Sequence, residues 1–284
     1  MINIEENKGL DITMLPSHPK HFIKIPKEII LNQELSEHRV FAFLYLIYNQ
    51  TLENNVHYSS QYMIQWCGYK PVWNRSRKEN IHTKFKDCMN WFLDNEYISE
   101  FDEKDYTQSK FQTSSLNVVK IRDCNSFASL YDFEIDVIKE YVSQYKPLTK
   151  SLLILTLSYI RAHTWIRKNE VSGHSEKSKK AKPEMFHSTY TDIGESLGIS
   201  RKMVSRIVTV LEELNLIKTK RMPRYKTSDE IWHTDDIIFV CPYKFVFRGG
   251  KIRKCSKEEY NPHEEIVNGM KFLMEQKKKK FEQN

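Results

Sequence analysis

Glycine and proline are scarce in this sequence, at 8 and 9 of 284 residues. Glycine supplies the left-handed conformations that tight turns need, so a large sheet sandwich with many hairpins is not expected. Phosphate loops built on glycine are not expected either, and the P-loop spacing with its lysine does not occur, which excludes a P-loop ATPase. The G-x-S-x-G spacing of a serine-hydrolase elbow is read as missing too. The five cysteines, Cys67, Cys88, Cys124, Cys241 and Cys255, are odd in number and never two residues apart. A zinc site or disulfide framework is therefore not expected, and a reducing cytoplasm fits. His18 and His21 stand three apart with no third ligand nearby. The paired histidines of a metal-dependent DNA-nicking protein are missing. No metal, cofactor or enzymatic activity is expected. Long hydrophobic runs are also missing. The longest, 40–48 and 152–157, fall well short of the roughly 20 residues that span a bilayer. Residues 1–10 have no apolar signal-peptide core. A soluble chain without membrane contact is expected.

What is present points elsewhere. Hydrophobic residues make up 40% of the chain and aromatics 12%, enough for two packed cores at this length. The net charge is +7, and its distribution is uneven. Residues 89–140 hold eleven acidic and five basic side chains, whereas 200–226 hold eight basic and two acidic. A concentration of positive charge is the electrostatic footprint of a phosphate-binding surface.

Periodicity predicts a small strand at 22–25, then a nearly all-apolar helix from the Ser36 cap to about 49. A short helix at 59–66 stops before Gly68, and a third covers 77–94, followed by two strands at 97–98 and 116–121. The same order recurs: a helix at 149–167, a basic low-complexity loop at 168–183, a short helix at 190–197, a longer one at 201–214, and strands at 216–219 and 237–240. A last helix starts at Pro262 and ends in the lysine run 277–280. The predicted fold class is mainly α with small β-hairpins. Its domains are a flexible leader (1–20), a first unit (21–124), a second unit (131–247) and a basic tail (248–284).

Residues 190–206 carry the functional signal. Ile193 and Leu197, four apart, anchor a helix that Gly198 ends by turning left-handed. Ile199 plugs the turn, and Ser200 caps the next helix. In that helix Val204, Ile207, Val208, Leu211 and Leu214 share one stripe, while Arg201, Lys202, Ser205, Arg206 and Thr209 share the opposite one. A helix lying in the major groove presents such a face, with arginine pairing guanine and serine or threonine bonding a base or phosphate.

Residues 192–221 resemble the DNA-reading half of the winged helix-turn-helix superfamily. That resemblance implies two tandem winged-helix domains and makes residues 218–226 a wing, with Lys218, Lys220, Arg221, Arg224 and Lys226 on the DNA backbone or minor groove. The first unit is less basic. It offers Lys70, Arg75, Arg77, Lys78 and Lys86, with His82 and Thr83 on the same outward face of its third helix, but its wing begins acidic. It either binds DNA by the helix alone or forms a homodimer. Two tandem units with a short tail resemble plasmid and phage replication initiators and DnaD-type primosomal proteins, and residues 22–47 are similar to the opening of such domains. That layout implies a replication initiator that binds double-stranded DNA and recruits replication proteins such as a helicase or its loader. A transcriptional regulator at an operator, or an assembly factor whose winged units bind protein, are the alternatives. Trp66, Trp73, Trp91, Trp165 and Trp232 are candidates for base stacking or for the core. The tracts at 168–182 and 277–280 either touch phosphates or solubilise.

Overall fold

Helices start where a side chain can take up a free backbone N–H. Ser36, Asn80, Thr149, Thr189 and Ser200 each accept a hydrogen bond from the amide three residues on, which satisfies one orphan donor of the first turn. The computed structural model of the chain describes residues 22–51, 54–71, 80–99, 117–122, 127–141, 148–166, 182–223, 225–226, 232–233, 236–248 and 251–282. About half of the described residues are helical, and the strands form small antiparallel sheets.

The elements fall into two series of the same order. The first is β1 (Phe22–Pro26), α1 (Lys27–Ile30), α2 (Glu37–Tyr48), β2 (Asn55–Tyr58), α3 (Ser60–Trp66), α4 (Ile81–Asp94) and β3 (Asn117–Lys120). The second is β4 (Phe127–Tyr131), α5 (Asp132–Glu140), α6 (Lys150–His163), β5 (Phe186–Ser188), α7 (Tyr190–Leu197), α8 (Arg201–Glu213) and β6 (Lys218–Arg221). There follow β7 (Tyr225–Lys226), β8 (Trp232–His233), β9 (Ile237–Val240), β10 (Phe245–Arg248), β11 (Lys251–Lys254) and α9 (Pro262–Glu282). The repetition reaches single residues. After α4 and α8 the chain turns through a left-handed residue at Glu96 (φ 60°) and Asn215 (φ 56°), each followed by a buried isoleucine, Ile98 and Ile217.

The two series meet at β1 and β4, which pair antiparallel from Phe22↔Tyr131 to Pro26↔Phe127, with Lys24 opposite Ser129 at the centre. Each strand leads straight into a helix. The register is the one that two copies of a strand related by a two-fold axis would adopt. Neither β4 nor α5 was predicted, and the boundary drawn at 124–131 cuts through β4. One hydrophobic cluster runs through both series, from Ile23, Phe43 and Phe92 to Leu130, Leu157, Ile207 and Phe239. Helix α6 lies at its centre and packs on α1, α2, α5, α8 and β4. The two units were expected to have a core each; a single core joins them.

Two further expectations change. The strands at 97–98 and 116–121 were to pair with each other. They do meet, at an Ile98–Ile121 bridge flanked by the Ser99 amide donating to Lys120 O (3.0 Å) and the Arg122 amide to Tyr97 O (3.1 Å), but β3 also pairs with β2, an unforeseen strand whose Val56 and Tyr58 alternate into the core. The hairpin β10–β11 was likewise unforeseen. The leader, most of the loop at 168–182 and residues 77–79 of the third helix lie outside the described residues.

Candidate nucleic-acid interface

Helix α7 opens with a reciprocal cap: Thr189 accepts from the Asp192 amide (3.0 Å) and Asp192 from the Thr189 amide (3.3 Å). It ends at Gly198, left-handed at φ +66°, after which the Ile199 amide donates to Gly194 O at 2.9 Å. That closure brings the turn against α7 so tightly that a Cβ on Gly194 would lie 2.5 Å from Ile199 O. Sequence reading missed this role of Gly194, since a glycine inside a helix usually signals only a weaker helix. Ser200 then accepts from the Met203 amide (3.2 Å) and starts α8.

Helix α8 is two-sided as the sequence predicts. Val204, Ile207, Val208, Leu211 and Leu214 are buried. Arg201, Lys202 and Thr209 are exposed, and Ser205 and Arg206 half-buried, on the other side. Among the described residues neither Lys202 nor Arg206 is in an ion pair. The hydroxyls are partly engaged. Ser200 is the cap, and Thr209 Oγ1 donates to Ser205 O at 3.0 Å, which leaves it an acceptor rather than a donor.

The following hairpin divides its cations between two faces. Side chains directly opposite in an antiparallel pair share a face. Lys218 is opposite Val240 and Lys220 opposite Ile238, and those two partners are covered by Leu273, with Ile266 and Met270 packed alongside, from α9. Thr219 is opposite Phe239 and Arg221 opposite Ile237, which belong to the main core with α8. The single cationic wing expected from the sequence is therefore split: Arg221 shares the α8 side, and Lys218 and Lys220 lie on the α9 side. Strands β7 and β8 pair in the same register, Tyr225↔His233 and Lys226↔Trp232 matching Lys218↔Val240. Arg224 lies outside the described residues, as does the side chain of Lys226.

Two contacts tie α8 to this hairpin. Glu212 Oε1 accepts from the Thr219 amide (3.0 Å) and from Thr219 Oγ1 (2.7 Å). Tyr190 sits beside both elements: burial, then Glu212, push its hydroxyl pKa up, and Arg221 draws it back. Sequence reading did not find Glu212, although an acid seven residues before a threonine across a helix–strand turn was the available signal.

Among the described residues the first series presents fewer of its candidate cations. Lys70 is exposed and Lys86 half-buried, while Arg75, Arg77 and Lys78 lie outside the described residues. His82 was expected on the outward face of its helix, but it is 1% exposed, and burial lowers its pKa, partly countered by a bond to the backbone of Pro71. Aligned on Glu96 and Asn215, Asp87 stands where the second series has Arg206 and Leu93 where it has Glu212. Trp91 is buried, donates to Glu34 Oε2 at 3.4 Å and has Arg39 over its ring at 4.7 Å. Trp66 packs on Tyr45 and Tyr48 under Lys139. Both are structural. Trp73 and the side chain of Trp232 lie outside the described residues.

No family model, curated protein or solved structure matches this chain. What α8 and its hairpin do is therefore argued from their own chemistry. The G-x-S-x-G spacing, read as missing, does occur at Gly194, Ser196 and Gly198. It forms no nucleophile elbow, which needs a strand-to-helix turn: Ser196 lies inside α7 and shares a 3.0 Å hydrogen bond with Tyr159 Oη. Burial raises the thiol pKa of Cys88 to about 12 and of Cys241 to about 11, against thiolate reactivity. Among the described residues no group of His, Cys, Asp and Glu could hold a metal ion, and no helix is long and apolar enough to cross a membrane.

Proposed function

We propose that this chain binds double-stranded DNA, with α7, its turn, α8 and the β6–β9 hairpin acting as a winged helix-turn-helix and α8 entering the major groove. The observation that carries this reading is the division of α8 into a fully buried apolar stripe and an outward face bearing Arg201, Lys202 and Arg206. A helix about 10–12 Å across matches a groove about 12 Å wide. The repeated element order supports a second winged unit in the first series, although Asp87 on its α4 would oppose phosphate and so favours α8 as the reader. The tandem layout supports a cytoplasmic replication initiator whose remaining surfaces meet replication proteins such as a helicase or its loader.

Selection of duplexes from a random library, followed by a salt titration, tests this. Affinity should fall steeply with salt as counterions are released. Arg201→Ala or Arg206→Ala should each weaken the selected site by about 1–3 kcal/mol relative to wild type if it reads a base. Unchanged affinity in both variants sinks the assignment. A footprint over direct repeats beside a replication gene supports initiation, and one over a promoter palindrome supports transcriptional regulation instead.

A further inference from the structure

The region around α8 is strongly basic, yet Glu212 lies in the middle of it. Its charge would repel phosphate, so its presence needs a structural reason. Strand β6 is the edge of the sheet β5–β9–β6, and an edge strand exposes backbone N–H groups that no ladder takes up. Glu212 reaches across from the last turn of α8 and takes one of them, the Thr219 amide at 3.0 Å, together with the Thr219 hydroxyl at 2.7 Å.

The chain between these residues is already tight. The Leu216 amide donates to Leu211 O at 2.9 Å, Asn215 is left-handed, and Leu216 and Ile217 are buried. The carboxylate closes this loop into a rigid bracket. Arg221, two residues beyond Thr219 on the same strand face, is the hairpin cation on the α8 side. The bracket thus fixes where Arg221 sits relative to Arg201, Lys202 and Arg206. In the first series the residue at the Glu212 position is Leu93, 37% exposed, whose side chain offers no acceptor.

We propose that Glu212 is a positioning residue. It holds the hairpin at one angle to α8, so that the hairpin's charge and the helix reach the same duplex together. This rests on the DNA-binding reading above. Simple electrostatics predicts the opposite outcome for its removal. If Glu212 were only a misplaced charge, deleting it would tighten binding.

The test uses the full chain, a labelled duplex from the library selection and a salt titration. Glu212→Ala should bind more weakly at low salt, with a slope of log affinity against log salt shallower by about one, the loss of one phosphate contact. Glu212→Gln keeps an acceptor oxygen for Thr219 and should keep the wild-type slope. Glu213→Ala removes an exposed neighbouring charge and should also keep it. Thr219→Val, which loses the hydroxyl but not the amide, should shift the slope the same way as Glu212→Ala by less, without adding to it in the double variant. A merely structural role would lower thermal stability and leave the slope alone. Tighter binding by Glu212→Ala, or an equal loss in Glu212→Gln, overturns the proposal. If the wild-type chain shows no salt-dependent binding at all, the DNA reading fails and takes this one with it, a distinguishable result.

Discussion

Gly198 does two jobs at one residue. Its backbone is left-handed, and a Cβ there would lie 2.8 Å from Gln33 Cδ of the first series, whose Nε2 donates to Glu195 O at 3.2 Å. Gly198→Ala should therefore destabilise the fold by about 1–2 kcal/mol from the left-handed strain alone. The Gln33 side chain can swing aside, so Gln33→Ala should recover little of that loss. Urea denaturation of the two single variants and the double variant checks both statements, and an unchanged midpoint in Gly198→Ala contradicts the first. The turn at Gly198 was legible because a left-handed glycine followed by a capping serine is a local pattern. The contact with Gln33 was not, because it joins residues brought together only by folding.

Elements show the same contrast. All three helices that define the outward face, its partner and the long core helix (α8, α7 and α6) were legible, since capping side chains and the 3.6-residue period are written into consecutive residues. Strand pairing was less so. Residues 216–221 carry several cations in a row, which reads as one patch; only the register against β9 reveals that alternate residues serve opposite faces. That register makes a prediction. Arg221→Ala should reduce duplex affinity and its salt slope, whereas Lys220→Ala, on the α9 side, should change both much less. Electrophoretic or fluorescence titrations at several salt concentrations would separate them, and equal effects would mean that DNA contacts both faces of the hairpin. Strands β2, β4 and β5 were missed because each is short and its pairing partner lies far along the chain.

At the scale of the molecule, the shared core sets the behaviour. Residues from both series form one cluster around α6, and buried Glu134 joins α5, α6 and the segment after β9. It accepts from Arg161 Nη2 and Tyr243 Oη, both at 2.5 Å, and from the Tyr131 amide at 2.7 Å. Thermal unfolding should accordingly be one transition, not two. Its midpoint should also fall with pH. Burial lowers the pKa of His38, His82 and His163 below the ordinary 6.5. The unfolded chain therefore binds protons that the folded one refuses, and stability declines as pH drops through 6.5. Calorimetry between neutral pH and pH 5, compared with His82→Asn, measures this. Two resolved transitions would mean that the series unfold apart.

The sequence by itself determined the order of the main helices, the caps and ends of α7 and α8, and the opposition of an apolar and a cationic stripe on α8. Those depend on neighbours a few residues away. Only the tertiary structure decided that β1 pairs with β4, that both series share one core, that His82 turns inward, and that Glu212 braces the hairpin. The strand pairing and the shared core join residues remote in the chain, and even the seven-residue link from Glu212 to Thr219 forms only where packing has set β6 against α8.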